Sequence, residues 1–238
     1  SGEFQIIEGK QGAYIEPTAA VSTIYDYVMY QWNGMETALS LPVEIEEPKG
    51  TVEELSMVKD VLGSYSTSYS TSAAARVANV ENGTRLLNGV TLYPGETFST
   101  LELVTPFTEA NGYAMAGSYL NGLVVDSLGG GICQVSTTLY NAVLFAELEV
   151  TQRSNHSMSV AYVPLSADAA IAESAGKDFC FTNSTDYPIY IEGYTTPNKR
   201  ITITIYGADV REEGYEVSYI SDITSTTPPG PELVYADA

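Results

Sequence analysis

The stretch Gly129-Gly130-Gly131-Ile132-Cys133-Gln134-Val135-Ser136-Thr137-Thr138-Leu139-Tyr140-Asn141-Ala142 decides the fold. Three glycines run into one of only two cysteines. Behind them Val135, Leu139, Ala142, Val143 and Ala146 recur at the spacing of an apolar helix face. This places Cys133 at or near a helix N-terminus, where the helix dipole favours a thiolate. The glycines allow a substrate, or another piece of backbone, to come close. A nucleophile is often presented in this way, and so is a small buried residue.

Outward from that helix, the composition narrows the possibilities. The chain has 238 residues, 44% of them hydrophobic, enough for one medium domain plus a fragment. Thirty acidic residues against ten basic ones give a formal net charge of -20, which argues against nucleic acid or anionic lipid as partner. Eighteen tyrosines and frequent β-branched residues point to a strand-rich protein. No apolar run is long enough to span a bilayer. Ser1-Gly2 reads as an expression scar, which leaves room for a targeting segment upstream. Scarce lysine and a Tyr/Ser/Thr-rich surface suit an extracellular bacterial protein.

The elements read as α+β: a central Cys-bearing helix on a mostly antiparallel sheet, with a small N-terminal α/β fragment at 1–50. In that fragment Phe4 to Ile7 is strand-like and Gly9 to Gly12 a turn. Pro17 opens a helix with Val21, Ile24, Tyr25 and Val28 on one face. Leu39 to Ile45 alternates as a strand, and Thr51 with Glu54 forms a capping box for a helix reaching Val61. Ser64 to Ser72 fits either a linker or a polar edge strand. A helix is expected from Ala73 to Leu87, stopped by Gly89. Short strands follow at Val90–Leu92 and Thr97–Ser99, and 105–128 reads as irregular up to Leu123. Later strands are expected at Met158–Val163, Phe179–Phe181, Ile189–Gly193 and Ile201–Tyr206. Residues 208–238 read as a final strand and a Pro-rich linker.

The chemistry-bearing residues follow one order: glycine loop, Cys133 at a helix start, then His156, the only histidine, then Asp168. That order is similar to papain-like and transglutaminase-like thiol enzymes, in which His activates Cys and an acid or amide orients the His. Asp178 is the reserve for the orienting role. Gln134 is a candidate oxyanion donor, although the Cys133 backbone amide is better aimed, and Asn155 reads as a turn residue. Cys133, His156 and an aspartate lack any close-spaced ligand pair, so no metal is expected. The glycines lack a following Gly-Lys-Ser/Thr, which sets the nucleotide reading aside. Nothing implies a cofactor. Cys133 and Cys180 could also pair as a disulfide, which would end the nucleophile reading.

The blocks Tyr93-Pro94-Gly95-Glu96-Thr97-Phe98-Ser99, Gly129 to Ala142, Asn155-His156-Ser157, Tyr162-Val163-Pro164 and Asp168-Ala169 together resemble the VanW-like family over residues 60–207. The family's glycine before the Asp-Ala pair stands here as Ser166-Ala167. Residues 4–48 look like the last part of a peptidoglycan-binding domain that often precedes VanW-like domains. The resemblance implies a Gram-positive envelope location, anchored to the membrane in the full-length protein, with peptidoglycan or a cell-wall peptide as partner. It brings Cys133, His156, Asp168 and the binding candidates Gly129, Gly130, Gly131 and Gln134 into one candidate site. Two readings stand: a thiol-dependent amide hydrolase or transferase, and a non-catalytic wall-binding or scaffold module.

Overall fold

The computed structural model describes residues 4–120, 123–228 and 230. The chain divides into two compact units, Ser1–Lys59 and Asp60–Ala238. No helix among the described residues is long and apolar enough to cross a membrane.

In the first unit, strands β1 (Gly12–Tyr14) and β2 (Glu44–Glu46) pair antiparallel. Helix α1 (Pro17–Tyr30) starts where expected, with Pro17 in its first turn. The Glu16 carboxylate accepts from the amides of Thr18 and Ala19, satisfying donors the helix leaves unpaired. The capping box of Thr51 and Glu54 is present, but α2 ends at Leu55 (Val52–Leu55), short of Val61. The strand expected at Phe4–Ile7 does not form; pairing falls instead on residues 12–14, where a turn ends. Val21, Ile24, Tyr25 and Val28 stay exposed, and Ala20 is the buried residue of α1.

The second unit is mixed α and β, with every strand pair antiparallel among the described residues. Strands β3 (Asp60–Ser68), β4 (Val90–Leu92), β10 (Ile189–Thr196) and β11 (Arg200–Gly207) form a sheet ordered β3-β11-β10-β4. Ile201, Ile203 and Ile205 alternate along β11 and, with Ile189 and Ile191, are fully buried. Each such side chain contributes about 2 kcal/mol by area. Helices α3 (Ala74–Leu87) and α5 (Cys133–Phe145) pack on this sheet. β5 (Thr97–Ser99), β8 (Glu149–Gln152) and β9 (Cys180–Thr182) make a second sheet in the order β5-β9-β8. The short helix α4 (Thr100–Val104) follows β5 directly. β6 (Met115–Leu120) and β7 (Leu123–Leu128) form a separate hairpin.

Ser64 to Ser72 is mostly strand rather than linker. Its hydroxyls pair across to β11, Ser64 with Thr204 at 2.9 Å and Ser66 with Thr202 at 2.8 Å. Gly63 lies where β3 meets α5; a Cβ there would collide with the backbone of Ala142, Phe145 and Ala146. Only glycine permits so close an approach. The strand expected at Met158–Val163 is absent, and residues 153–166 run as an irregular loop. Neither is there a strand after Gly207 among the described residues. That segment is fastened instead: Arg211 donates to Leu62 O at 3.1 Å, Tyr219 bonds Asn141, and Ser221 bonds Leu165 O.

Candidate functional site

Helix α5 carries its polar residues in two stripes. Gln134 and Thr138 face β3. The Gln134 amide donates to Thr67 Oγ1 (3.0 Å) and Ser68 O (2.9 Å), while its oxygen accepts from Arg76 at 2.8 Å. Thr138 bonds Thr67 at 2.7 Å. Cys133, Thr137 and Asn141 face an extended segment, residues 167–171, instead. The Cys133 thiol donates to Ile171 O (3.4 Å), Thr137 to Ala169 O (3.3 Å) and Asn141 to Ala167 O (2.8 Å), with Ser136 also reaching Ala169 O (2.7 Å). Four helical residues rise about 6 Å and two extended residues about 6.6 Å, so the two elements stay in step.

The opposite edge of that segment faces residues 153–156. Ala170 N donates to Ser154 O (2.8 Å), and Asp168 O accepts from Arg153 Nε (2.7 Å). The Asp168 side chain reaches the same region. Its Oδ2 accepts from both the backbone N and ring Nδ1 of His156, each at 2.6 Å, and its Oδ1 accepts from Arg153 Nη2 at 3.0 Å. Both partners are largely enclosed, with 7% of the His156 side chain and 11% of the Asp168 side chain exposed.

Burial alone would push the Asp168 carboxyl up. The bonds and charge of His156, with Arg153, outweigh it and hold the carboxyl below its usual value. An ionised carboxylate only accepts, so Nδ1 of His156 donates to it and Nε2 is the ring nitrogen outside that bond. The Tyr119 ring of β6 stands edge-on to the imidazole at 6.1 Å. Beside the pair opens a cleft of about 320 Å³, lined by Arg153, His156, Met158, Pro164, Leu165 and Ser166 among others. Its size is at the low end of small-ligand pockets.

The structure thus joins His156 to Asp168 and leaves Asp178 elsewhere. Asp178 accepts from Ser99 Oγ (2.6 Å) and Leu101 N (2.9 Å), at the start of α4. Cys133 is the first residue of α5, yet burial pushes its thiol up, more than Arg76 pulls it down. The dipole-lowered thiolate expected from sequence is therefore reversed by desolvation. Among the described residues no hydrogen bond links Cys133 to His156, and Cys133 does not line the cleft. Both cysteines are free, which removes the disulfide reading.

Gln134 is fully buried, with its amide committed to internal bonds. Gly130 packs on the hairpin, where a Cβ would collide with the Ala116 carbonyl, and Gly129 and Gly131 take positive φ against Phe107 and Arg76. Gly130 thus receives another piece of backbone. Asn155 bonds His156 O, in keeping with a turn role. Ser166, in the Ser166-Ala167 pair before Asp168-Ala169, takes φ of 69°, a backbone that glycine adopts without strain.

Sequence reasoning gave no site role to Arg153 or to Tyr162, although Tyr162 lies in a block that carries the family resemblance. Arg153 clamps Asp168, and its one sequence signal was a rare basic residue three positions before His156. Tyr162 lies within electrostatic reach of Cys133 and Asp168, with burial raising its hydroxyl well above the ordinary range.

A family model described as "VanW like protein" matches residues 75–206. The protein YoaR of Bacillus subtilis (strain 168) is 34% identical over 206 residues, covering 86% of this chain and 66% of that protein. The vancomycin B-type resistance protein VanW of Enterococcus faecalis (strain ATCC 700802 / V583) is 33% identical over 123 residues, 49% of this chain and 44% of that protein. The chain thus spans less than two thirds of the length of either relative. No solved structure gives a significant match. With more than half of its residues under the family model, the chain belongs to the VanW-like family.

Proposed function

We propose that this chain is a cell-envelope protein that binds a wall component, peptidoglycan or its peptide, in the cleft beside His156 and Asp168, without using Cys133 as a nucleophile. One observation carries the choice between the two sequence readings. The thiol is turned to Ile171 O and kept protonated by burial, and among the described residues no hydrogen bond joins it to His156, whose Nδ1 is held by Asp168 at the cleft wall. The envelope setting rests on the family resemblance, and the enterococcal relative is itself named for vancomycin resistance. Cosedimentation with purified Gram-positive sacculi tests the proposal. Wild type and Cys133→Ser are expected in the pellet. Leu165→Asp, which places a carboxylate in the cleft from a half-exposed position, is expected in the supernatant. A wild type that stays in solution, or release by Cys133→Ser alone, overturns it.

The thiol-enzyme reading, with papain-like or transglutaminase-like order, keeps one observation in its favour. Cys133 opens α5, at the end of the helix whose dipole favours a thiolate. Rapid labelling of native Cys133 by iodoacetamide, lost in His156→Ala, would favour it.

A further inference from the structure

We infer that a second cleft, formed by α3, α4 and the turn at 110–112, is a binding site for the free C-terminal carboxylate of a short peptide, with Arg85 as its anchor. The cleft encloses about 510 Å³, larger than the one beside His156 and within the range of small-ligand pockets. Leu86, Leu103, Val104 and Ala110 give it apolar walls. Asn82, Arg85 and Asn111 supply the polar groups, the balance typical of sites that hold an apolar body by one oriented head.

Arg85 is the charged member of the lining, and it pairs with no carboxylate among the described residues. Among those residues its guanidinium makes one bond, from Nη2 to Asn82 Oδ1 at 3.0 Å. Asn82 is itself fixed, because its Nδ2 donates to Asn111 O at 2.8 Å. Asn111 Nδ2 in turn donates to Pro106 O at 2.9 Å. The relay sets the orientation of the fork and leaves its other N–H groups unspent. A planar fork with parallel free donors suits a carboxylate held by two bonds. The apolar walls beside it suit small peptide side chains rather than a bare inorganic anion.

This site is separate from the His156 cleft and does not depend on what that cleft binds. Titration calorimetry with N-acetyl-Ala-Ala-Ala and with the same peptide as its C-terminal amide tests it. The acid is expected to bind about tenfold tighter than the amide, the scale of one charge-assisted contact. Arg85→Gln, on an exposed helix position, is expected to erase that difference, and Asn82→Ala to reduce it, with both variants retaining the wild-type circular dichroism spectrum. No binding of either peptide, equal binding of both, or a preference for the acid that survives Arg85→Gln would overturn the assignment. Inorganic phosphate competing as well as the peptide acid would also overturn it, since the apolar walls would then contribute nothing.

Discussion

Replacing Asp168 by Asn removes a charge without changing shape, and the geometry fixes what is lost. The carboxylate accepts three donors: the His156 amide and ring at one oxygen, and Arg153 at the other. Asn offers one acceptor oxygen and one donor group. Its oxygen must serve the His156 amide, because that backbone donor cannot change role, so its NH₂ faces the Arg153 donor. One charge-assisted bond is lost and two are weakened to neutral strength, about 3 kcal/mol in all. Side-chain exposures of 11% and 24% for Asp168 and Arg153 leave limited water to compensate. For a chain of this size, the melting temperature should fall by roughly 6–12 °C near neutral pH. The pH dependence has a definite sign. The native carboxyl lies below its ordinary value of 3.8, so its contribution is complete above that pH and is lost as pH falls through the native value. The gap between wild type and Asp168→Asn, followed by calorimetry, should therefore narrow below about pH 4. A shift under about 2 °C at neutral pH, or a gap that stays constant on acidification, would refute the reasoning.

Two further outcomes follow from other parts of the fold. Gly63→Ala should cost about 3 kcal/mol or prevent folding, because the new methyl meets α5 backbone, whereas Gly95→Ala, at φ of 79° with open space around it, should cost about 1 kcal/mol; guanidinium denaturation separates them. The native thiols should react slowly with a disulfide reagent near neutral pH. Burial and the Asp178 carboxylate push Cys180 to about 12, so its rate should keep climbing with pH beyond the point where an ordinary thiol levels off.

What the sequence revealed follows from which forces act locally. Helices α1, α3 and α5 and strands β9, β10 and β11 were legible because apolar periods and the prolines and glycines that bound them are written locally. The strand expected at 158–163 does not form, and the flanking backbone groups of His156, Ser166 and Asp168 bond to the side chains of Asp168 and Arg153 rather than to a ladder. β6, Met-Ala-Gly-Ser-Tyr-Leu, was hidden because small residues blur the alternation. The pairing of His156 with an aspartate was legible from their order. Asp168 was the first choice and Asp178 the reserve; what separates them is how 167–171 lies against α5, which the order alone does not fix. Arg153 and Tyr162 escaped because their partners are set by tertiary contact alone.

The register between α5 and residues 167–171 explains why so polar a block sits in a buried helix. In an extended segment the backbone groups of alternate residues point to opposite edges. Thr137 takes both the amide and the carbonyl of Ala169, and Cys133 and Asn141 take the carbonyls of Ile171 and Ala167. These contacts commit the odd-numbered residues to the helix. Asp168 and Ala170 must then turn their backbone groups to the loop that carries Arg153 and His156. A slip of one residue would present the wrong carbonyls to α5 and leave buried hydroxyl and amide groups unsatisfied, at a cost of about 1–3 kcal/mol for each. The block from Cys133 to Asn141 thus acts on the site through Asp168, and the cysteine serves as one step of that ruler.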